Sequence, residues 1–469
     1  VPSEIPQIDE IMENVPLSFF EKANNWLKNS ITIKLLTIGI LLLFLLIPVS
    51  MVQDLIRERE YRQEGAILEV SSKWGEDQTV IGLVLTVPYN TYNKVFEDDG
   101  DFKLVQTREY AHFLPEQLNI EGEVMPEMRY RGIYEVIVYN SKLNLSGNFT
   151  RPDFEEWKIE EDNILWGDAF VSLGLSDLRG IQENVSFNWN DERFDFSPGI
   201  ETNDVISNGI SCRVPVKSPR TKEINVDSSL TLKFSLDLKF NGSSSLNFIP
   251  VGKSTNVSLS STWETPSFDG AFLPDFREIT EDGFTTNWNV LHLNRPYPQS
   301  FRGAKQGVYQ SAFGVKLIVP VDEYQKSMRS AKYASMFITL TFLLFFFVQI
   351  LNHVRIHSIQ YIIVGLALCV FYTLLIALSE HIPFNLSYLI SSVGIISMIT
   401  MYAHSFAKNV RLTKVICGIL VLLYLFIYSI IQMQDYALLM GSLGLFIVLG
   451  IVMFLSRKID WYAVQTKEK

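Results

Sequence analysis

Cysteine is scarce. Only three occur among 469 residues, and Cys212 alone lies in the long polar middle of the chain, so no disulfide can form within that region. It must fold by core burial, which a segment of this length readily allows. Histidine is sparse too, with six residues, and neither His112 nor His292 has a Cys or His at ligand spacing, so no metal site is expected. Basic residues are outnumbered by acidic ones, 40 against 51, for a net charge of −11. Without a basic stripe to neutralise phosphates, nucleic acid is excluded as a partner. The chain also lacks GxGxxG, a Walker-type phosphate loop, HExxH and GxSxG, so no cofactor and no catalytic set is expected.

Apolar residues are abundant, at 48%, and they are unevenly spread. They gather in runs long enough to cross a hydrocarbon core of about 30 Å at about 1.5 Å per residue. Lipid offers backbone groups no hydrogen-bond partner, so these runs must be helices. Spans are expected at 31–52, 333–350, 359–378, 384–402, 415–431 and 436–455. The first is too long for the core of a cleaved signal peptide and no small-residue cleavage site follows it. The fold class is therefore a membrane α-helical bundle plus a β-rich extracytoplasmic domain, with one N-terminal and five C-terminal transmembrane helices.

Short loops set the orientation, because Lys and Arg collect on the cytoplasmic side. Arg355, the trio Lys408, Arg411 and Lys414, and the pair Arg457 and Lys458 mark alternate loops, whereas the loops at Glu380 and at 432–435 carry no Lys or Arg. Both termini are then expected in the cytoplasm and the large domain outside. Arg57, Arg59, Arg62, Lys326, Arg329 and Lys332 run against the rule, but they border a long translocated domain, where it has less force. The expected order is a cytoplasmic segment 1–30, a span 31–52, the β-rich domain 53–330, the five-helix bundle 331–456 and a cytoplasmic tail 457–469.

Within the domain the dominant period is two. From Leu230 to Phe240 the apolar residues Leu230, Leu232, Phe234, Leu236, Leu238 and Phe240 alternate with Thr231, Lys233, Ser235, Asp237 and Lys239, which marks a half-buried strand, and Asn241-Gly242 reads as the turn that ends it. Further strands are expected at 79–88, 131–139, 255–262 and 315–321, in a mostly antiparallel arrangement. Short helical pieces are expected at 151–159 and 176–179, with Ser176 as a cap. A polar stretch at 217–229 is the candidate boundary between two β subdomains. The charged segments 53–63 and 322–332 read as helical stalks continuing the adjacent spans, or as solvated linkers.

Two polar constellations stand out. Ser379, Glu380 and His381 close the third span, and ionisable groups at membrane depth are functional candidates; at the interface, however, they merely cap a helix. Asp177 and Arg179, in the run SDLRG, place an acid two residues from a base beside a glycine. As a pair they either contact a ligand on a loop or bond each other and the backbone, and the second is the commoner arrangement. Gln349, Asn352, His353, His357 and Gln360 surround the first cytoplasmic loop, where helix packing is their expected role. The aromatic and proline-rich stretch from Trp263 to Trp288 is expected to be core, with any exposed part free to bind lipid or a glycan.

These segments resemble the CreD family of bacterial inner-membrane proteins. The resemblance runs through RGIYE at 131–135, LGLSDLRGI at 173–181, FNGSSSLNFIPVGKST at 240–255 and STWETPSFDGAFLPDF at 261–276. It continues over 313–347 and through QYIIVGLALCVFYTLLIALSEHIPF at 360–384. Departures fall at Gln349, where the family commonly has an acid, at Leu83 and at Pro383. The resemblance implies an inner-membrane location and a role in envelope integrity under stress, and it implies no enzyme activity. Membrane lipids and an envelope component or protein partner are the expected partners. A non-enzymatic protein that binds or senses an envelope component is the leading reading; a transporter or lipid-handling protein is the alternative, and a membrane hydrolase using Glu380, His381 or Asp177 is third.

Overall fold

The computed structural model describes residues 31–96, 102–217, 231–304, 307–319, 323–352, 354–433, 436–457 and 459. They form two compact units, one comprising Val1–Tyr61 with Asp322–Lys469 and the other Arg62–Val321. Stalk residues 53–61 and 323–332 thus group with the spans. Gln53 donates to the Ala331 carbonyl at 3.3 Å, and Ser327, Ser330 and Ala331 are buried.

Among the described residues, six helices are long and apolar enough to cross a membrane. The first is part of α1 (Ile31–Trp74), a single 44-residue helix whose apolar start continues into the charged segment expected to be a stalk. A short α2 (Glu323–Lys332) precedes α3 (Ala334–Leu351), α4 (Ser358–Ser379), α5 (Phe384–Ala407), α6 (Val410–Gln432) and α7 (Ala437–Ser456). Leu43, Phe44, Leu422, Leu438 and Phe446 are exposed on the helix exteriors, as lipid-facing side chains must be. The expected spans are all present, most of them extended by a few polar residues at their ends. Those ends are secured locally: His357 and Gln360 form a capping box at the start of α4, and the Asn409 side chain caps α6. Of the polar group around this loop, His353 lies outside the described residues.

The second unit is built from two sheets. One runs in the order β13 (Pro266–Gly270), β17 (Phe313–Leu317), β11 (Ser245–Ile249), β1 (Gln78–Phe96), β5 (Phe170–Leu175), β9 (Gly209–Arg213) and β8 (Ser197–Pro198). A branch, β2 (Phe102–Phe113) with β16 (Ser300–Arg302), pairs onto β1. The other runs β14 (Phe276–Thr280), β15 (Gly283–Leu291), β12 (Ser254–Ser261), β3 (Gln117–Arg131), β4 (Tyr134–Thr150), β10 (Thr231–Ser243), β6 (Ser186–Trp189) and β7 (Glu192–Asp195). Pairing is antiparallel except for β1 with β11 and β12 with β3. One hydrophobic cluster joins the inner faces of both sheets, from Val80 through Leu118, Trp189 and Phe240 to Leu317. Packing there is close enough that a Cβ on Gly82 would collide with Leu118 of the facing sheet.

Several local expectations need correction. Asn241-Gly242 is not a turn: β10 stays in register with β4 through Gly242↔Tyr139 and Ser243↔Val138, and the chain turns at Ser244, whose φ is +55°. Gly242 serves a close approach, since a Cβ there would strike the Tyr139 ring. The segment 131–139 is a hairpin turn followed by a strand, with Gly132 at φ +63° joining β3 to β4. Residues 151–159 and 176–179 contribute only 3-10 turns at Glu155–Trp157 and Leu178–Gly180, and Asp177 rather than Ser176 caps the second. The candidate subdomain boundary at 217–229 lies, beyond residue 217, outside the described residues.

Candidate functional site: the socket at the end of α1

The SDLRG run forms a socket around the C-terminal end of α1. The Arg179 guanidinium donates to both Asp177 carboxylate oxygens, at 2.9 and 3.0 Å, to the Ser72 carbonyl at 2.7 Å and to Glu76 Oε1 at 2.7 Å. Asp177 also accepts from the backbone N–H of Glu76 at 3.0 Å and of Arg179 at 3.1 Å. Burial alone would raise the Asp177 pKa, but the Arg179 hydrogen bond and the two backbone donors outweigh it and hold the carboxyl below the usual range. The bonds from Arg179 to the Asp177 and Glu76 carboxylates in turn push its own pKa up. Ser176 Oγ donates to the Asp77 carbonyl and accepts from Thr79 N, and Gln78 Nε2 donates to the carbonyls of Asp177 and Asn241. Gly180 lies against Asn241, where a Cβ would strike its carbonyl oxygen.

Other segments meet the same helix end. Arg131 forms a two-pronged bond to Glu69, at 3.0 and 2.9 Å, and the Arg129 guanidinium lies 4.1 Å from the Trp74 ring centre. Trp74 Nε1 donates to the Tyr139 carbonyl, and Ser243 Oγ donates to the Gly75 carbonyl at 2.7 Å. A helix leaves its last carbonyls without intrahelical partners. Here side chains from β3, β10 and the SDLRG turn, with the Tyr139 carbonyl of β4, supply them or brace the residues around them. Asp177 and Arg179 are thus saturated by protein groups, which is the arrangement of a structural joint.

Glu380 and His381 do not form a relay. Glu380 lies at the C-terminal end of α4 with its side chain 11% exposed, and its Oε1 is 3.4 Å from Arg59 Nε of α1, an ion pair without hydrogen-bond geometry. His381 is exposed, and Ser379 Oγ donates back to the Ile376 carbonyl at 3.0 Å. The trio therefore splits between a pair linking two helices, a solvent-side imidazole and a helix-end hydroxyl. These residues belong to the helical unit, Asp177 and Arg179 to the β unit.

One constellation escaped the sequence. His112 Nδ1 is 3.0 Å from Thr86 Oγ1 and its Nε2 is 3.1 Å from Asp204 Oδ2. A neutral ring that donates from Nε2 to Asp204 and accepts from the Thr86 hydroxyl satisfies all three groups. Burial depresses the His112 pKa, with Asp204 opposing. Thr86 is only 2% exposed, so its hydroxyl cannot meet a substrate; the set pins the loop carrying Asp204 to the sheet. Only the pairing of Thr86 with His112 across β1 and β2 brings them together, and residues 26 apart in sequence give no spacing signal.

The family model for the inner membrane protein CreD matches residues 30–462. The chain belongs to the CreD family. It is 32% identical over 427 residues to the inner membrane protein CreD of Escherichia coli (strain K12), covering 90% of this chain and 91% of that protein. With six apolar helices among its described residues, this CreD-family member is a multi-pass inner-membrane protein in contact with lipid. Three of the segments that carried the resemblance, at 131–135, 173–181 and 240–255, supply the socket residues Arg131, Asp177, Arg179, Asn241 and Ser243. In the bundle Gln349 is buried and accepts from the Tyr361 hydroxyl at 3.0 Å, so a neutral side chain satisfies that position here.

Proposed function

We propose that this CreD-family protein is a non-enzymatic component of envelope maintenance, with both termini in the cytoplasm and its β unit in the envelope space, where it binds or senses an envelope component. The carrying observation is the socket: a helix that begins with a lipid-spanning sequence ends in a fully bonded clamp of Ser72, Glu76, Asp177 and Arg179. Such a joint suits a protein that passes a mechanical or binding state along α1. A surface loop that merely tethers a domain has no use for so many bonds.

Complementation tests the reading. An Escherichia coli strain deleted for its CreD should regain detergent and β-lactam tolerance with the wild-type gene and lose it with Asp177→Ala/Arg179→Ala at equal expression. Tolerance that is unchanged by deletion, or fully restored by the double variant, counts against it. Orientation is checked separately by labelling Asn188→Cys, in a Cys212→Ser background, with a membrane-impermeant maleimide on intact spheroplasts.

A lipid- or solute-handling role is the second reading. It is favoured by buried hydroxyls without partners inside the bundle, at Thr341, Tyr372, Ser391 and Tyr424. Small water-borne thiol reagents should reach Thr341→Cys if these groups line a wetted path, and should fail if the interior is dry.

A further inference from the structure

The outward face of the eight-stranded sheet carries an unusual row. Six side chains stand in register across six neighbouring strands: Asn289, Asn256, Asn119, Ser146, Ser235 and Asn188. None is buried, whereas their neighbours along each strand, such as Val290, Val257, Ile120, Leu145, Phe234 and Phe187, point into the core. Strands lie about 4.8 Å apart, so the row runs for about 24 Å. Every member is a carboxamide or a hydroxyl, able both to donate and to accept. Cross-strand bonds from Asn256 Nδ2 to Asn119 Oδ1 at 3.0 Å and from Asn188 Nδ2 to Ser235 Oγ at 3.2 Å orient the groups and leave most of their capacity unspent. Beside the row, on the same face, Phe276 pairs with Asn287 and is 55% exposed.

The charge and polarity of this strip select its occupant. A protein partner needs an apolar centre to bury, and the row has none. Nucleic acid or an anionic headgroup needs clustered cations, and a basic peptide needs clustered carboxylates; the row itself is uncharged, and the charges that border it, Arg193 and Lys233 against Glu121 and Asp237, are of both signs and favour neither. A neutral polyhydroxylated chain matches it, offering one donor–acceptor set per sugar unit at a repeat close to the strand spacing, with C–H edges that suit the electron-rich face of Phe276. We propose that this face binds an extended neutral polysaccharide lying across the strands, about one sugar unit per strand. The inference deepens the envelope-sensing reading by naming a ligand class, and it rests on that reading for its biological setting.

The test uses the full chain in detergent micelles titrated calorimetrically with chitohexaose and cellohexaose, and with the corresponding disaccharides. Binding of at least one hexasaccharide is expected, tenfold or more tighter than its disaccharide. Asn119→Ala/Ser146→Ala/Ser235→Ala should weaken it at least tenfold, and Ser146→Trp should abolish it by obstructing the row. Both variants lie on the solvent face, and an unchanged far-ultraviolet circular dichroism spectrum confirms folding. No binding of either hexasaccharide, or binding untouched by both folded variants, overturns the proposal. Because this measurement is independent of location, cytoplasmic labelling of Asn188→Cys would defeat the envelope reading alone, whereas absent binding with external labelling would defeat only the polysaccharide assignment.

Discussion

Asp177→Ala should loosen the socket by an amount that can be worked from its bonds. The carboxylate is 8% exposed, and its removal strips the acceptor from the Glu76 and Arg179 backbone N–H groups, at 3.0 and 3.1 Å. A net hydrogen bond contributes about 1 kcal/mol, and one to a charged group about 1.5–3 kcal/mol, so two lost acceptors with partial rehydration give about 2–4 kcal/mol. For a unit of this size about 2–4 °C of melting temperature accompanies each kcal/mol, which predicts a fall of about 4–16 °C. Tryptophan fluorescence reports the right unit. Six of the eight tryptophans, Trp74 to Trp288, lie in it. The Asp177 pKa is lowered in the folded protein, so its contribution is fully present above the ordinary value of 3.8 and fades as pH falls through the depressed one. The difference between wild type and Asp177→Ala should therefore be constant from pH 7 to 5 and shrink only in strong acid. A variant melting within about 1 °C of wild type would show that water replaces the carboxylate freely, and the joint would not be one.

Other substitutions probe separate features. His112 is held neutral by burial, so wild-type stability should drop as pH falls below about 6.5, and His112→Gln should flatten that slope in melts taken at pH 7.5 and 5.5. Arg295 is a buried cation held by the carbonyls of Tyr297 and Val251; Arg295→Ala, which strands those carbonyls, should cost about 2–4 kcal/mol by urea unfolding, and Arg295→Lys should recover part of it. Gln349→Leu removes one bond inside the bundle, where such bonds average about 0.6 kcal/mol, so its expression and detergent stability should stay near wild type. Gly180→Ala forces a Cβ against the Asn241 carbonyl and should lower the melting temperature of the β unit, as Asp177→Ala does.

Length and apolarity were enough to determine the six spans, because lipid leaves helix as the sole option for a long greasy run. Period-two alternation likewise marked β10: Phe234, Leu236, Leu238 and Phe240 point inward as their spacing demands. Asn241-Gly242 misled because a glycine that permits a turn and one that makes room for Tyr139 look identical in sequence. Candidate sites were legible as residue types only. Asp177 and Arg179 are close in sequence, yet their partners Ser72 and Glu76 lie about a hundred positions away and arrive through sheet pairing. Thr86, His112 and Asp204 were invisible for the same reason, as was the amide and hydroxyl row, which exists only once six strands are in register. Local pattern decides whether a segment becomes helix or strand, because burial acts on every few residues alike. Which side chains finally touch depends on register and on closure of the two sheets over one core, and that information is spread over the whole chain.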